Sequence, residues 1–255
     1  MKHCKLIVTD LDGTLLRNDK SISKFTLETL ERCRRQGILI AFATARPVRG
    51  VTAMRSSFEP DILINHNGAV FAYGDDQISL GISREQLNVI LTNILAAYPQ
   101  AEIGVESNDV FYANYDVTKH WWGEPHIRTE ASFDEFDLAY ADKIVISLED
   151  EDVNALEAYL VDDCYLEVAE DILGMVMSKR ATKFNAITAI CDVLEIKPAD
   201  VVCFGDDRND ISMLQGCGIG VAMENANEVV KEVADVLCAS NEQDGVATWI
   251  REFIL

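Results

Sequence analysis

Lys5-Leu6-Ile7-Val8-Thr9-Asp10-Leu11-Asp12-Gly13-Thr14-Leu15-Leu16 is the stretch from which the rest of the chain can be read. Leu6 to Val8 is a β-prone apolar run, the pattern of a buried strand. It ends on two carboxylates, Asp10 and Asp12, one residue apart, before Gly13 and Thr14 turn the chain. An unpaired carboxylate at a buried position costs several kcal/mol. Two acids at the end of such a strand therefore call for a counter-charge. A divalent cation supplies one economically, because hard Mg²⁺ takes oxygen ligands and keeps open positions for a substrate phosphate. The plainer alternative for Asp12-Gly13 is a simple turn.

Outward from this strand the pattern alternates. Phe25, Leu27, Leu30 and Cys33 recur at near-helical spacing and end in Arg34-Arg35-Gln36-Gly37, basic residues and a glycine that stop a helix. Ile38 to Ala43 reads as a second buried strand, and Thr44-Ala45-Arg46-Pro47 as a strand-to-helix turn with Pro47 at the first helical position. Asp61 to Asn65 gives a third strand, and Asn67-Gly68 a tight turn before Ala69 to Tyr73. Buried strands alternating with helices indicate a doubly wound, mostly parallel α/β sheet.

Near residue 80 the rhythm changes. Ser83 and Gln86 suit a capping box opening a helix with Leu87, Ile90, Leu91 and Ile94 on one face. Short strands follow at Ala101 to Glu106, Val110 to Asn114, Lys143 to Leu148, Tyr165 to Ala169 and Leu173 to Ser178, with an acidic helix expected from about Asp150 to Val161. Trp121, Trp122 and His120 fall in an irregular stretch, as substrate-lining groups or as core anchors of this module. From Ala181 the first pattern returns, with a helix over Thr182 to Leu194, a buried strand Val201 to Phe204 ending in Gly205-Asp206-Asp207-Arg208-Asn209-Asp210, a strand Gly218 to Ala222, a helix Ala226 to Ala234, a short strand Val236 to Cys238 and a last helix Val246 to Phe253. The expected organisation is a core made of residues 1–80 and 181–255 with an α+β insert over 81–180.

Composition narrows the function. Of 255 residues, 43 are acidic and 22 basic, a formal charge of −21 that argues against a nucleic-acid partner. The densest basic group, Arg32, Arg34 and Arg35, sits in the last turn of a helix, where it complements the helix dipole. Seven scattered cysteines without a Cys-x-x-Cys pair suggest reduced thiols in a cytoplasmic protein. The first strand begins almost at once, so no signal peptide is expected, and no apolar run approaches the ~20 residues of a membrane span.

Asp10 and Asp12, Thr44, and Asp206 with Asp210 each lie just past the C-terminal end of an expected buried strand, the edge where open parallel sheets bind ligands. Asp10, Asp12 and Asp206 offer carboxylate and backbone oxygens to a Mg²⁺. Thr44 and its neighbouring N–H groups suit an anion, and Lys183 adds a cation. Together they suit phosphoryl transfer, in which charge spreads over non-bridging oxygens. For Thr44 a helix cap, and for Lys183 a solvated first-turn lysine, are the structural alternatives.

Asp10-Leu11-Asp12-Gly13-Thr14, Thr44, Lys183 and Gly205-Asp206-Asp207-Arg208-Asn209-Asp210 resemble, in order, the four motifs of the haloacid dehalogenase (HAD) superfamily of phosphatases, and the large insert with Asn67-Gly68 ahead of it resembles the Cof-type branch. The resemblance implies a Mg²⁺-dependent phosphatase of small phosphorylated metabolites such as sugar phosphates. Asp10 would be the nucleophile that becomes an aspartyl-phosphate, and Asp12 the general acid and then base. The metal would be held by Asp10, the Asp12 carbonyl and Asp206, with Asn209 and Asp210 supporting. Thr44, Ala45, Arg46, Asn67 and Lys183 would contact phosphate, and the insert would be a mobile cap. A phosphotransferase or phosphomutase on the same chemistry is the alternative enzyme, and a phosphoacceptor signalling domain the alternative from another class. A monomer or a homodimer is expected. Two positions depart from the pattern. Ala45 stands where the family usually has Gly, as does Phe184 after the motif lysine, where its bulk would tighten the pocket.

Overall fold

In a computed structural model, which describes residues 4–74, 76–117, 127–129, 138–148, 152–169 and 173–255, the opening apolar run forms strand β1 (Leu6–Thr9) with every residue buried. The chain continues through α1 (Lys24–Arg35), β2 (Leu39–Ala43), α2 (Thr52–Arg55), β3 (Ile62–Asn65), β4 (Val70–Tyr73) and β5 (Asp76–Ser79). The insert contributes β6 (Ile82–Ser83), α3 (Arg84–Ala97), β7 (Glu102–Ser107), β8 (Val110–Ala113), β9 (Ile127–Thr129), β10 (Tyr140–Ala141), β11 (Lys143–Ser147), β12 (Cys164–Ala169) and β13 (Leu173–Ser178). Then follow α4 (Lys183–Val193), β14 (Val201–Gly205), α5 (Ile211–Gly216), β15 (Ile219–Met223), α6 (Glu228–Lys231), β16 (Val236–Cys238) and α7 (Gly245–Phe253).

Two compact units result, one from Met1–Ile78 and Thr182–Leu255, the other from Ser79–Ala181. In the first, the sheet runs β16-β15-β14-β1-β2-β3-β4-β5. The pairs from β16 through β3 are parallel, and β3 with β4 is antiparallel. The fold is therefore α/β with a mostly parallel central sheet. β1 has β14 on one side and β2 on the other, so the chain winds away from it in both directions. That reversal of strand order opens a crevice beyond the carboxyl ends of the strands.

Local chemistry explains the helix ends. Ser23 caps α1 by accepting from the Thr26 N–H at 3.0 Å, and Arg32, Arg34 and Arg35 occupy the last turn. In the second unit Ser83 and Gln86 close a complete capping box at α3. That helix buries Leu87, Ile90, Leu91 and Ile94 against a separate sheet of order β12-β13-β11-β7-β8-β9, antiparallel except for β8 with β9.

Several elements differ from the sequence reading. Pro47 is the N-cap of a short 3₁₀ turn, Val48–Val51, and the α-helix starts only at Thr52. The helix expected over Ala226 to Ala234 is α-helical only at Glu228–Lys231. In place of an acidic helix from Asp150, a 3₁₀ helix covers Val153–Tyr159, opened by the Asp152 side chain accepting from the Asn154 N–H. Acidic residues suit a helix start, but this segment buries only Val153 and Leu156, too little apolar surface to hold a longer helix. β5 was not anticipated, because Asp76-Gln77-Ile78-Ser79 carries no apolar alternation. It is the exposed edge of the sheet. His120, Trp121 and Trp122 lie outside the described residues.

Candidate active site

Three strands deliver the site. β1 ends at Thr9 and presents Asp10, β2 ends at Ala43 and presents Thr44, and β14 ends at Gly205 and presents Asp206. β1 lies between the other two with Thr9 opposite both Phe42 and Phe204, so the three polar residues emerge side by side.

Lys183, the first residue of α4, is fully buried and binds two acids at once. Its Nζ lies 2.6 Å from Asp10 Oδ1 and 2.6 Å from Asp210 Oδ1. The solvated first-turn lysine is thereby excluded. The helix is started by Thr182, whose hydroxyl accepts from the Asn185 N–H. The Thr182–Lys183 backbone presses against Gly68, which has φ +101° and where any Cβ would collide with the Thr182 carbonyl. A glycine is required there on both counts.

Asp210 is buried too. Its second oxygen accepts from the backbone N–H groups of Asp206 (3.0 Å) and Asp207 (3.1 Å), which pins the loop after β14. Asp206 Oδ1 accepts from the Thr14 hydroxyl at 2.6 Å. Gly13 has φ +82° and no space for a Cβ, which would strike the Asp206 carboxylate. The Asp-Gly turn is thus shaped around a second acid.

Carboxylate oxygens of Asp10, Asp206 and Asp210 lie within 4.8 Å of one another. One ammonium stands among these three acids and bonds two of them, and the imbalance shows in their ionisation. Burial pushes Asp10 up to about 7, Lys183 opposing only in part while the Asp210 and Asp206 charges add. Burial likewise lifts Asp206 to about 6 against the pull of the Thr14 hydroxyl, with Asp210 adding. Burial on its own would lower Lys183, but Asp10 and Asp210 outweigh it and hold the ammonium above its ordinary value. Three clustered carboxylates, oxygen donors only and an unmatched negative charge fit a divalent metal ion.

Asp12 is bonded to other groups. The Arg46 guanidinium grips it with two bonds, Nε to Oδ2 at 2.7 Å and Nη2 to Oδ1 at 2.6 Å, and Lys20 Nζ adds a third at 2.7 Å. Burial favours its neutral form, yet the bonds to Arg46 and Lys20 prevail and hold the carboxyl below the usual range. Lys20 was missed from sequence. It lies in a polar turn, in a left-handed conformation at φ +66°. Nothing in the spacing marks it.

The remaining candidates sit on the loops that follow β2, β3 and β14. The Thr44 hydroxyl accepts from the Arg46 N–H (3.1 Å), and the Thr44 carbonyl from the Asn67 N–H (3.0 Å). Asn65, buried at the end of β3, donates to the Arg46 carbonyl. Ala45 sits between Thr44 and Arg46 in the same turn. Asn67, at φ +57°, accepts from the Asn209 side chain at 2.9 Å. Phe184 does not crowd Lys183. Its ring lies against Gly216 at the end of α5, where a Cβ would strike it, so the bulk sits in the helix–helix packing.

Comparison with known proteins identifies the family and the fold. Residues 7–250 match the family model of haloacid dehalogenase-like hydrolases. A 5-amino-6-(5-phospho-D-ribitylamino)uracil phosphatase of Bacillus subtilis is 29% identical, over 97% of each chain. A phosphoglycolate phosphatase of Methanopyrus kandleri is 28% identical, over 98% of this chain and 97% of its own. Among solved structures, that of a sugar phosphatase of HAD subclass IIB, BT4131, superposes with a TM-score of 0.77 at 25% identity, over 98% of both chains. No helix among the described residues is long and apolar enough to cross a membrane. The chain belongs to the haloacid dehalogenase-like hydrolases and is a phosphoric monoester hydrolase of that superfamily's Cof-type branch.

Proposed function

We propose that this phosphatase hydrolyses small phosphorylated metabolites, sugar phosphates among them, with Mg²⁺ and through an aspartyl-phosphate on Asp10. The observation that carries the reading is Lys183, buried and 2.6 Å from both Asp10 and Asp210, with Asp206 completing the acid cluster. Asp10 Oδ1 is tied to Lys183, which leaves Oδ2 for attack on phosphorus. The phosphoryl group transfers to Asp10 as the bond from phosphorus to the ester oxygen breaks and that oxygen takes a proton from Asp12; water then displaces Asp10 from phosphorus and returns a proton to Asp12. Asp12, kept ionised by Arg46 and Lys20, is in the form that takes the proton from that water. Thr44 and the N–H groups beside it, Arg46, Asn67 and Lys183 receive the non-bridging oxygens. Mg²⁺ would be held by Asp10, the Asp12 carbonyl and Asp206, with Asn209 and Asp210 behind them, and would neutralise charge on the transferring group.

Phosphate release from p-nitrophenyl phosphate and from a panel of sugar phosphates, with Mg²⁺ and with EDTA, tests this. The expected result is metal-dependent release that vanishes in Asp10→Asn. Undiminished release by Asp10→Asn, or in EDTA, would overturn it.

A further inference from the structure

The loop carrying Asp10 and Asp12 is fastened from a part of the chain more than 200 residues away, by groups that none of the motifs contains. Asn225, just past β15, donates from Nδ2 to the Gly13 carbonyl at 2.7 Å. Its Oδ1 accepts from the backbone N–H of Asn241 at 3.0 Å. Asn241, buried beyond β16, donates from its own Nδ2 to the Leu16 carbonyl (2.9 Å) and to Asn18 Oδ1 (3.2 Å). Asp244 and Glu242 continue the line, taking Arg17 at 2.8 Å and the Asn18 N–H at 2.7 Å. On the other side of Asn225, the Asn227 N–H donates to the Asp206 carbonyl at 3.0 Å.

We infer that Asn225, braced by Asn241, is a positioning residue that fixes the Gly13–Thr14 peptide and so holds Asp12 and Asp206 in register for turnover. Gly13 at φ +82° has no side chain to set its own orientation. Its carbonyl is the handle by which the peptide plane can be held. The next residue, Thr14, carries the hydroxyl on Asp206, and the preceding residue is Asp12. A rotation of this one peptide displaces both acids. The bridge needs a side chain that accepts at one end and donates at the other, which an amide does and a carboxylate or hydrocarbon does not. β15 and β16 are separated from β1 by β14, so the two loops reach past the end of a strand to make these bonds. That reach goes beyond what sheet packing alone requires. Asn225 is exposed, so its bonds contribute to no core.

The inference rests on the mechanism proposed above, and the experiment separates the two. Wild type and Asp10→Asn, assayed on p-nitrophenyl phosphate with Mg²⁺, decide the mechanism. Asn225→Leu, which removes donor and acceptor without adding charge, decides the role of Asn225. Its kcat is expected to fall about tenfold, the equivalent of one charge-free hydrogen bond lost from an ordered site, with KM little changed. Calorimetric titration of the same variant with Mg²⁺ is expected to show weaker binding, and its thermal midpoint to match wild type. Unchanged kcat and Mg²⁺ affinity would overturn the inference. So would a fall in activity matched by a lowered midpoint, since that is what a purely structural role predicts.

Discussion

The two units bury acids in opposite ways. In the core, Asp10 and Asp210 converge on Lys183, with Asp206 beside them, and two backbone N–H groups donate to the other oxygen of Asp210. In the insert, Asp142 is equally buried, at the start of β11, beside buried Glu106 of β7. One of its oxygens has no hydrogen-bond partner. Burial, with the Glu106 charge adding and the Asn108 N–H opposing, pushes its carboxyl up to about 7. Desolvation raises Asp10 and Asp142 alike, to about 7, but Asp10 is bonded to the Lys183 ammonium whereas one oxygen of Asp142 is left without a partner. What sets the core acids apart is that three carboxylates and one ammonium meet at one point.

The sharpest way to break this contrast is to remove the cation. Lys183→Met leaves two buried carboxylates facing each other. We expect a loss of about 3–5 kcal/mol in folding stability, measured by denaturant unfolding, together with loss of phosphatase activity. Near-wild-type stability would show that the pair is dispensable to the fold. Next is the seat of that lysine. Gly68→Ala combines a left-handed φ with a collision against the Thr182 carbonyl, and is expected to cost about 1–3 kcal/mol in the same assay. Arg46→Lys keeps the charge but loses the two-pronged grip on Asp12. It is expected to lower kcat about tenfold with the thermal midpoint unchanged.

The smallest effect belongs to the insert. The folded-state pKa of Asp142, about 7, exceeds its ordinary 3.8. The native state therefore keeps a proton that the unfolded chain has already released. The stability this proton confers is whole below about pH 4 and is lost as pH rises to about 7. Asp142→Asn cannot lose a proton. Thermal melts from pH 4 to 8 should show a shallower decline for the variant, and at pH 8 a midpoint about 2–4 °C above wild type for ~1 kcal/mol recovered. A parallel decline in both proteins would remove Asp142 as its cause.

The core was legible because parallel strands buried on both faces are written as unbroken apolar runs. Leu6 to Val8, Ile38 to Ala43 and Val201 to Phe204 all became strands of the central sheet, and the polar residues that interrupt them fall at one rim. Where periodicity is absent the reading failed. β5 is polar and exposed, α2 and α6 are a single turn each, and Val153–Tyr159 buries too little to become an α-helix. Within the candidate site, residue types at strand ends pointed to Asp10, Thr44 and Asp206, and a lysine at the start of the returning helix pointed to Lys183. Lys20 and Asn225 stayed hidden for two physical reasons. The first lies in a left-handed turn. The second acts through a contact between segments 212 residues apart, and neither leaves a mark in local spacing.

The central claim is that Asp10, steadied by Lys183, receives the phosphoryl group. Acid-quenched turnover of a sugar phosphate with Mg²⁺, followed by peptide mass spectrometry, tests it directly. The account predicts a peptide spanning Asp10 that gains the mass of one phosphoryl group in wild type and gains nothing in Asp10→Asn. A phosphorylated residue elsewhere, or steady turnover by Asp10→Asn, would contradict it.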